Sequence, residues 1–173
     1  MIIEALSITV AQALVSKIAT VGLKKLYKDV KADYEQHLVP LTKHFEDYLT
    51  RAYEHHSLMS TMVLRNSKRR LKDIYVPLTI LEENNPEEKT VVERYSVEFM
   101  RKHPRMIIRD TAGMGKTTLV KRLFLSAVDE VLAIPIIVEL RRISQKMTLL
   151  DIVYSQIDSL SEEFDHDLLL KLI

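Results

Sequence analysis

The stretch that decides the fold is Met106–Arg122, MIIRDTAGMGKTTLVKR. It opens with apolar residues typical of a buried strand, passes through a turn that holds two of the chain's three glycines, and continues as an apolar-striped helical segment. Its centre, DTAGMGKT, follows the pattern G-x-x-x-x-G-K-[ST] at every defined position except the first, where Asp110 stands instead of glycine. Because the pattern lies between a predicted strand and a predicted helix, it indicates a phosphate-binding loop.

Each matching residue has a physical task in such a loop. Gly113 and Gly115 allow backbone torsions closed to other residues, so that successive amide groups turn towards an anion. The following helix directs its N-terminal N–H groups and the positive end of its dipole at the same anion. Lys116 is expected to reach the β- and γ-phosphates, Thr117 to bind Mg²⁺, and Thr118 to contact the α-phosphate. The predicted nucleotide-binding residues are Asp110, Thr111, Ala112, Gly113, Met114, Gly115, Lys116, Thr117 and Thr118, with Thr117 as metal ligand and no catalytic residue.

Asp110 is the departure from the pattern. Aspartate tolerates a positive φ better than most residues, so the turn out of the strand can still form. Its carboxylate would repel a phosphate if it pointed inward, and we expect it to point away. The substitution is therefore predicted to weaken nucleotide binding without abolishing it. The alternative is a chance or decayed loop, against which the strand–loop–helix context and the intact Lys116 both argue.

Composition places the chain among globular proteins. Its 173 residues are 47% hydrophobic and 28% charged, and it has no cysteine, which excludes disulfides and thiolate metal sites and suits a cytoplasmic protein. Only three glycines and five prolines indicate a largely helical chain. The uncharged run ALSITVAQALVS is too short and too polar to cross a bilayer, and the acidic start MIIE is unlike a secretory signal.

The first 72 residues read as a helical module. Apolar residues recur at helical spacing from Ile3 to Val21, a helical pattern continues to Pro40, and a second helical block spans residues 41–65. The apolar stripe is open to three interpretations: core of the module, a self-association surface, or membrane attachment. A polar face poor in Lys and Arg disfavours the last.

Residues 73–173 read as the beginning of an α/β unit. DIYVPLTI (residues 73–80) is predicted as an extended segment or edge strand, EENNPEEK (82–89) as a solvated loop, and residues 91–102 as a helix. RMIIRD and IPIIVEL are predicted as two strands whose spacing suits a parallel βαβ unit around the loop helix. MTLLDIVYSQI and DHDLLLKLI are predicted as further helices. The fold class expected is an N-terminal α-helical module (1–72) followed by the start of a P-loop NTPase parallel sheet (73–173).

AGMGKTTLVKRL after an apolar strand, with DIYVPLTI upstream and IPIIVELRRI downstream, resembles the NACHT family of STAND-class P-loop NTPases. The resemblance covers residues 73–173, the first part of such a domain. The leading helices are similar to the N-terminal units that precede NACHT domains in bacterial proteins.

The resemblance implies a cytoplasmic molecular switch that binds ATP or ADP with Mg²⁺ and, on a trigger, oligomerises and gathers its N-terminal modules, as in bacterial antiviral defence. The acidic Walker B motif and the parts that sense the trigger are expected beyond residue 173. Slow ATP hydrolysis is accordingly expected only in a longer chain.

Two other functions stay open: a P-loop ATPase of the AAA+ type, or a helical adaptor whose loop is only structural. Replacing Lys116 by alanine separates the adaptor from both nucleotide-binding proteins, because only an adaptor would keep its activity.

Other clusters favour simpler interpretations. The basic run Lys68–Lys72 is typical of a solvated helix end, so nucleic acid is not expected as a partner, nor is a membrane. The histidines lack partners at metal-ligand spacing. Tyr75 and Pro77 either lie beside a nucleotide base or serve packing.

Overall fold

The computed structural model describes Ala13, Ser16, residues 34–60 (backbone only over 34–42) and residues 67–157. Its helices are Tyr34–Ser57 (α1), Leu71–Ile74 (α2), Val97–Lys102 (α3), Lys116–Asp129 (α4) and Leu149–Ile157 (α5), with a 3₁₀ turn at Leu140–Arg142. Its strands are Leu58–Met59 (β1), Arg69–Arg70 (β2), Leu78–Glu82 (β3) and Asn85–Val92 (β4). Most of the predicted stripe from Ile3 to Val21 and the predicted last helix lie outside the described residues.

Helices α1, α4 and α5 pack around one apolar core. Phe45, Tyr48 and Leu49 follow the i, i+3, i+4 spacing that puts side chains on one helix face, and all three are buried. The buried members of the core are Phe45, Tyr48, Leu49, Leu71, Phe124, Leu125, Val128, Val153 and Ile157. Residues from the predicted helical module therefore share a core with residues that flank the predicted phosphate loop.

Polar contacts join α1 to the last residue of α4 and to the segment that follows α4. The Tyr53 hydroxyl donates to Asp129 Oδ1 at 2.7 Å, and the Tyr48 hydroxyl donates to the Pro135 carbonyl at 2.8 Å. Arg51 donates to the Gln156 carbonyl at 3.0 Å, which ties α1 to α5 as well. Burial raises the pKa of both tyrosines, so these hydroxyls keep their protons as donors.

His56 makes the α1–α4 contact sensitive to acid. Its ring meets Phe124 edge-on at 4.9 Å between centroids, and its Nδ1 has no hydrogen-bond partner among the described residues. Burial, with the nearby charges of His55 and Lys121, lowers the pKa of His56 from 6.5 to about 4. Below pH 6.5, His56 is thus protonated in the unfolded chain and still neutral in the folded chain. The unfolding free energy therefore falls as the pH is lowered towards 4.

We expect His56→Phe to keep the aromatic contact and remove this acid sensitivity. On going from pH 7 to pH 5, the unfolding free energy of the original chain should fall by about 1 kcal/mol more than that of the variant. Urea unfolding at the two pH values measures the difference. Equal losses for original chain and His56→Phe would contradict the assignment.

The hairpin β3–β4 corrects one prediction. EENNPEEK was expected to be a solvated loop, but only Glu83 and Asn84 form the turn and β4 begins at Asn85. Leu78 pairs with Val92 and Ile80 with Thr90 on the less exposed face. The alternation of burial along both strands explains the pairing, since one face of the hairpin packs while the other meets water.

Helix boundaries also differ from prediction: the block predicted over residues 41–65 ends at Ser57, because Leu58–Met59 form β1. The helix expected from Val91 begins only at Val97, because residues 91–92 belong to β4 and the Ser96 hydroxyl caps the helix by accepting from the Phe99 amide at 3.1 Å. Helix α1 runs through position 40, which was predicted to separate two helical blocks. Packing of its later turns against α4 and α5 outweighs the one backbone donor that proline lacks.

The predicted parallel sheet does not form within the described part of the chain. Residues 106–110 and 132–138 form no strand, and the strand pairs of the described residues, β1–β2 and β3–β4, are antiparallel. Side chains satisfy part of the 132–138 backbone: besides the Tyr48 contact, Gln156 Nε2 donates to the Ile137 carbonyl at 3.0 Å. The described residues thus form a mixed arrangement of helices and small antiparallel sheets. This agrees with the predicted mixture of helices and strands but not with the predicted parallel sheet. The described residues include no helix long and apolar enough to span a bilayer.

Helix α4 ends in a turn that strains Val131. The Val131 amide donates to the Val128 carbonyl and the Leu132 amide to the Ala127 carbonyl, which is the hydrogen-bond pattern of a Schellman motif. This motif needs a left-handed residue, and Val131 takes φ 53° although it is β-branched.

We expect Val131→Gly to be more stable than Val131→Ala by about 1 kcal/mol, because both lose the valine methyl groups and only glycine removes the strained Cβ. Urea unfolding of the matched pair tests this. An alanine variant equal to or more stable than the glycine variant would show that the turn is not strained.

Candidate phosphate-binding loop

The two loop glycines take the backbone torsions that the sequence pattern requires. Gly113 has φ 86° and Gly115 has φ 81°, both in the left-handed region. Gly115 is the N-cap of α4, and its carbonyl accepts the Leu119 amide at 2.8 Å as the first bond of the helix. The first-turn N–H groups of α4, which have no partner within a helix, therefore stand directly behind the loop.

Lys116 lies folded back over the beginning of the loop. Its Nζ donates to the Asp110 carbonyl at 2.8 Å and to the Thr111 carbonyl at 2.6 Å. An ammonium group has three donors, so one remains in addition to these two bonds. The amine is thus held beside the first two residues of the loop.

Asp110 turns its carboxylate onto its own loop. Its Oδ1 accepts the Thr111 backbone N–H at 2.6 Å and contacts the Thr111 hydroxyl at 3.4 Å. This is a local side-chain-to-backbone bond to the next residue, one position closer than the bond of an Asx turn. It uses one backbone donor of the loop and holds a negative charge beside it.

The other predicted residues of the loop differ in exposure. Ala112, Met114 and Thr117 are exposed and Thr118 is partly buried. The described residues contain no cluster of three or more His, Asp or Glu side chains able to hold a metal ion. A Mg²⁺ ion at Thr117 would accordingly take its other ligands from phosphate and water, as magnesium commonly does beside a nucleotide.

The hairpin borders the loop at two places, which sequence reasoning did not foresee. A Cβ added at Gly115 would lie 3.3 Å from Leu78 Cδ1, so β3 passes close to the end of the loop. Arg109, just before the loop, binds Glu83 in the hairpin turn with its Nη2 2.6 Å from Oε1. The alternation of Leu78 and Ile80 with polar Thr79 was the available signal for β3, and β4 has no comparable pattern.

The base of the hairpin is fastened to α4. The Tyr75 hydroxyl donates to the Val92 carbonyl at 2.7 Å, and the Arg122 guanidinium stacks over the Tyr75 ring at 5.6 Å. Arg122 also donates to the Glu93 carbonyl at 2.9 Å, and Ser126 accepts the Tyr95 amide at 2.7 Å. Tyr75 therefore serves packing in this structure, and burial raises the pKa of its hydroxyl.

The comparisons with known proteins add no relative: no family model matches the chain, and neither a curated protein nor a solved structure matches it.

Proposed function

We propose that the chain binds ATP or ADP with Mg²⁺ at residues 110–118 and acts as a nucleotide-controlled switch of the NACHT type. The observation that carries the proposal is the joint geometry of Gly113, Gly115 and Lys116: two left-handed glycines, a helix N-terminus behind them, and a lysine amine over the loop. Each of these three features favours an anion, and together they suit a run of phosphates better than a single charge.

The residues would divide the work as follows. Loop amides and the first turn of α4 hold the phosphates, Lys116 neutralises them, and the Thr117 hydroxyl binds the metal ion, which bridges phosphate oxygens and lowers their charge. The hairpin keeps the loop in place through Leu78 and Glu83. Hydrolysis is not part of the proposal for these residues, because it needs a further acidic group to position metal and water.

Under the same proposal, the nucleotide state controls self-association through the N-terminal helices, in a cytoplasmic protein of bacterial defence that answers a trigger sensed elsewhere. Helix α1 belongs to the predicted helical module and packs on α4, the helix that begins at the loop. This part of the proposal rests on the resemblance to NACHT proteins.

A second candidate function is a helical adaptor with a purely structural loop. It is favoured by one observation: both carbonyls that Lys116 contacts belong to the loop itself, so the lysine stabilises the turn without any ligand.

Thermal unfolding with millimolar nucleotide separates the two functions. If the loop binds nucleotide, Mg²⁺ with ADP or ATP should raise the Tm by roughly 5 °C or more when the ligand is near 100 times its Kd, since bound ligand stabilises the fold by about 2.7 kcal/mol. Mg²⁺ alone and adenosine are the controls. A Tm unchanged by millimolar ADP and ATP would favour the adaptor.

A further inference from the structure

The position of Asp110 in the loop follows from the contacts of Lys116. In loops of this pattern the lysine amine serves the β- and γ-phosphates. Here that amine sits 2.8 Å from the Asp110 carbonyl oxygen and 2.6 Å from the Thr111 carbonyl oxygen. Asp110 therefore lies at the end of the loop that this amine contacts, and a nucleotide bound there would bring its β- and γ-phosphates to the same amine.

The carboxylate of Asp110 is held at that end. Its Oδ1 takes the Thr111 N–H at 2.6 Å, which ties the side chain to the loop backbone. Two consequences follow for a terminal phosphate. It would face a fixed negative charge, and it would lose the Thr111 amide as a donor unless the carboxylate gave that amide up.

We propose that Asp110 is a specificity-determining residue that discriminates against the γ-phosphate, so that the chain binds ADP more tightly than ATP. This inference rests on the proposed nucleotide binding and names the preferred ligand of the same site. It also assigns a role to the one position at which the loop departs from its pattern.

The size of the preference follows from charge. ATP carries one negative charge more than ADP, and that charge lies on the γ-phosphate. Over a separation of several ångströms, in the high dielectric of an exposed loop, repulsion by one carboxylate should weaken ATP binding about three- to tenfold relative to ADP. Because exposed charges are screened, the preference should shrink as salt is raised.

Asp110→Asn isolates the charge. Asparagine retains an Oδ1 acceptor for the Thr111 amide, so the turn keeps its bond while the negative charge is removed. Kd values for Mg²⁺–ADP and Mg²⁺–ATP are measured by calorimetry for the original chain and the variant. We expect the ratio of the ATP Kd to the ADP Kd to fall three- to tenfold in Asp110→Asn, mainly through tighter ATP binding. The control Glu87→Gln removes an exposed carboxylate of β4 and should leave the ratio unchanged.

The outcomes distinguish this inference from the proposed function. If nucleotide binds in a Lys116-dependent way but the ratio is the same in Asp110→Asn, the specificity role is wrong and the binding site stands. If the Glu87→Gln ratio falls as far as that of Asp110→Asn, the effect belongs to net charge and the inference is also wrong. If Lys116→Ala binds nucleotide as well as the original chain does, the loop is not the site and both proposals fall.

Discussion

Lys116→Ala should weaken the binding of ADP and ATP by roughly 100-fold or more, since the variant loses a charged donor to two phosphates at about 1.5–3 kcal/mol for each such hydrogen bond. Titration with a fluorescent ADP analogue in the presence of Mg²⁺ measures the loss. The matched control is Lys121→Ala, which removes the same charge from the same helix at a position beside His56 rather than in the loop.

The stability of Lys116→Ala should change little. The two bonds that its amine makes to loop carbonyls are exposed to solvent, so water can replace them and the unfolding free energy should stay within about 1 kcal/mol. Lost affinity with retained stability would assign the lysine to ligand binding. An unchanged affinity, or a variant that unfolds as its main effect, would contradict that assignment and support the structural loop of an adaptor.

Leu49→Ala should lower the unfolding free energy by about 2–5 kcal/mol, the range for leucine truncation in a packed core. Leu49 is 0% exposed and lies on the face of α1 that meets α4 and α5. Urea unfolding measures the loss, and Leu81→Ala on the outer face of the hairpin, where the leucine is 54% exposed, should cost less than about 0.5 kcal/mol.

The same variant tests whether α1 belongs to the core of the loop helix. If α1 and α4 are parts of one cooperative unit, Leu49→Ala should lower the hydrogen-exchange protection of α4 amides together with that of α1 amides. Protection lost in α1 alone would show that α1 folds independently and that its contacts with α4 carry little free energy.

The loop was the part most readable from sequence. Gly113 and Gly115 stand where left-handed torsions are needed, and the apolar stripe of TTLVKRLFLSAV predicted the helix that follows; the structure confirms the torsions and the helix. The helix over MTLLDIVYSQI is confirmed as well, as α5. These are local properties, set by residues close together in the chain.

The hairpin was missed because its composition hides its pairing. EENNPEEK is polar and contains a proline, and both features are typical of loops. These residues carry no sequence pattern that predicts pairing with Leu78–Glu82. The less exposed face of the hairpin holds Leu78, Ile80 and Val92, and Leu78 lies beside Gly115, a residue well outside the hairpin.

The orientation of Asp110 was equally beyond sequence reasoning. The residue was expected to turn away from the phosphates. The orientation of such a carboxylate depends on which neighbouring backbone amide donates a hydrogen bond to it. In the structure, the Asp110 carboxylate accepts a hydrogen bond from the Thr111 amide. The sequence pattern does not indicate which local hydrogen bond this carboxylate accepts.

The most direct test of the central claim is a calorimetric titration of Mg²⁺–ADP into the original chain and into Lys116→Ala under identical conditions. We expect saturable one-site binding by the original chain and little or no heat of binding for the variant. Absence of binding by the original chain at millimolar ADP, or equal binding by both proteins, would contradict it.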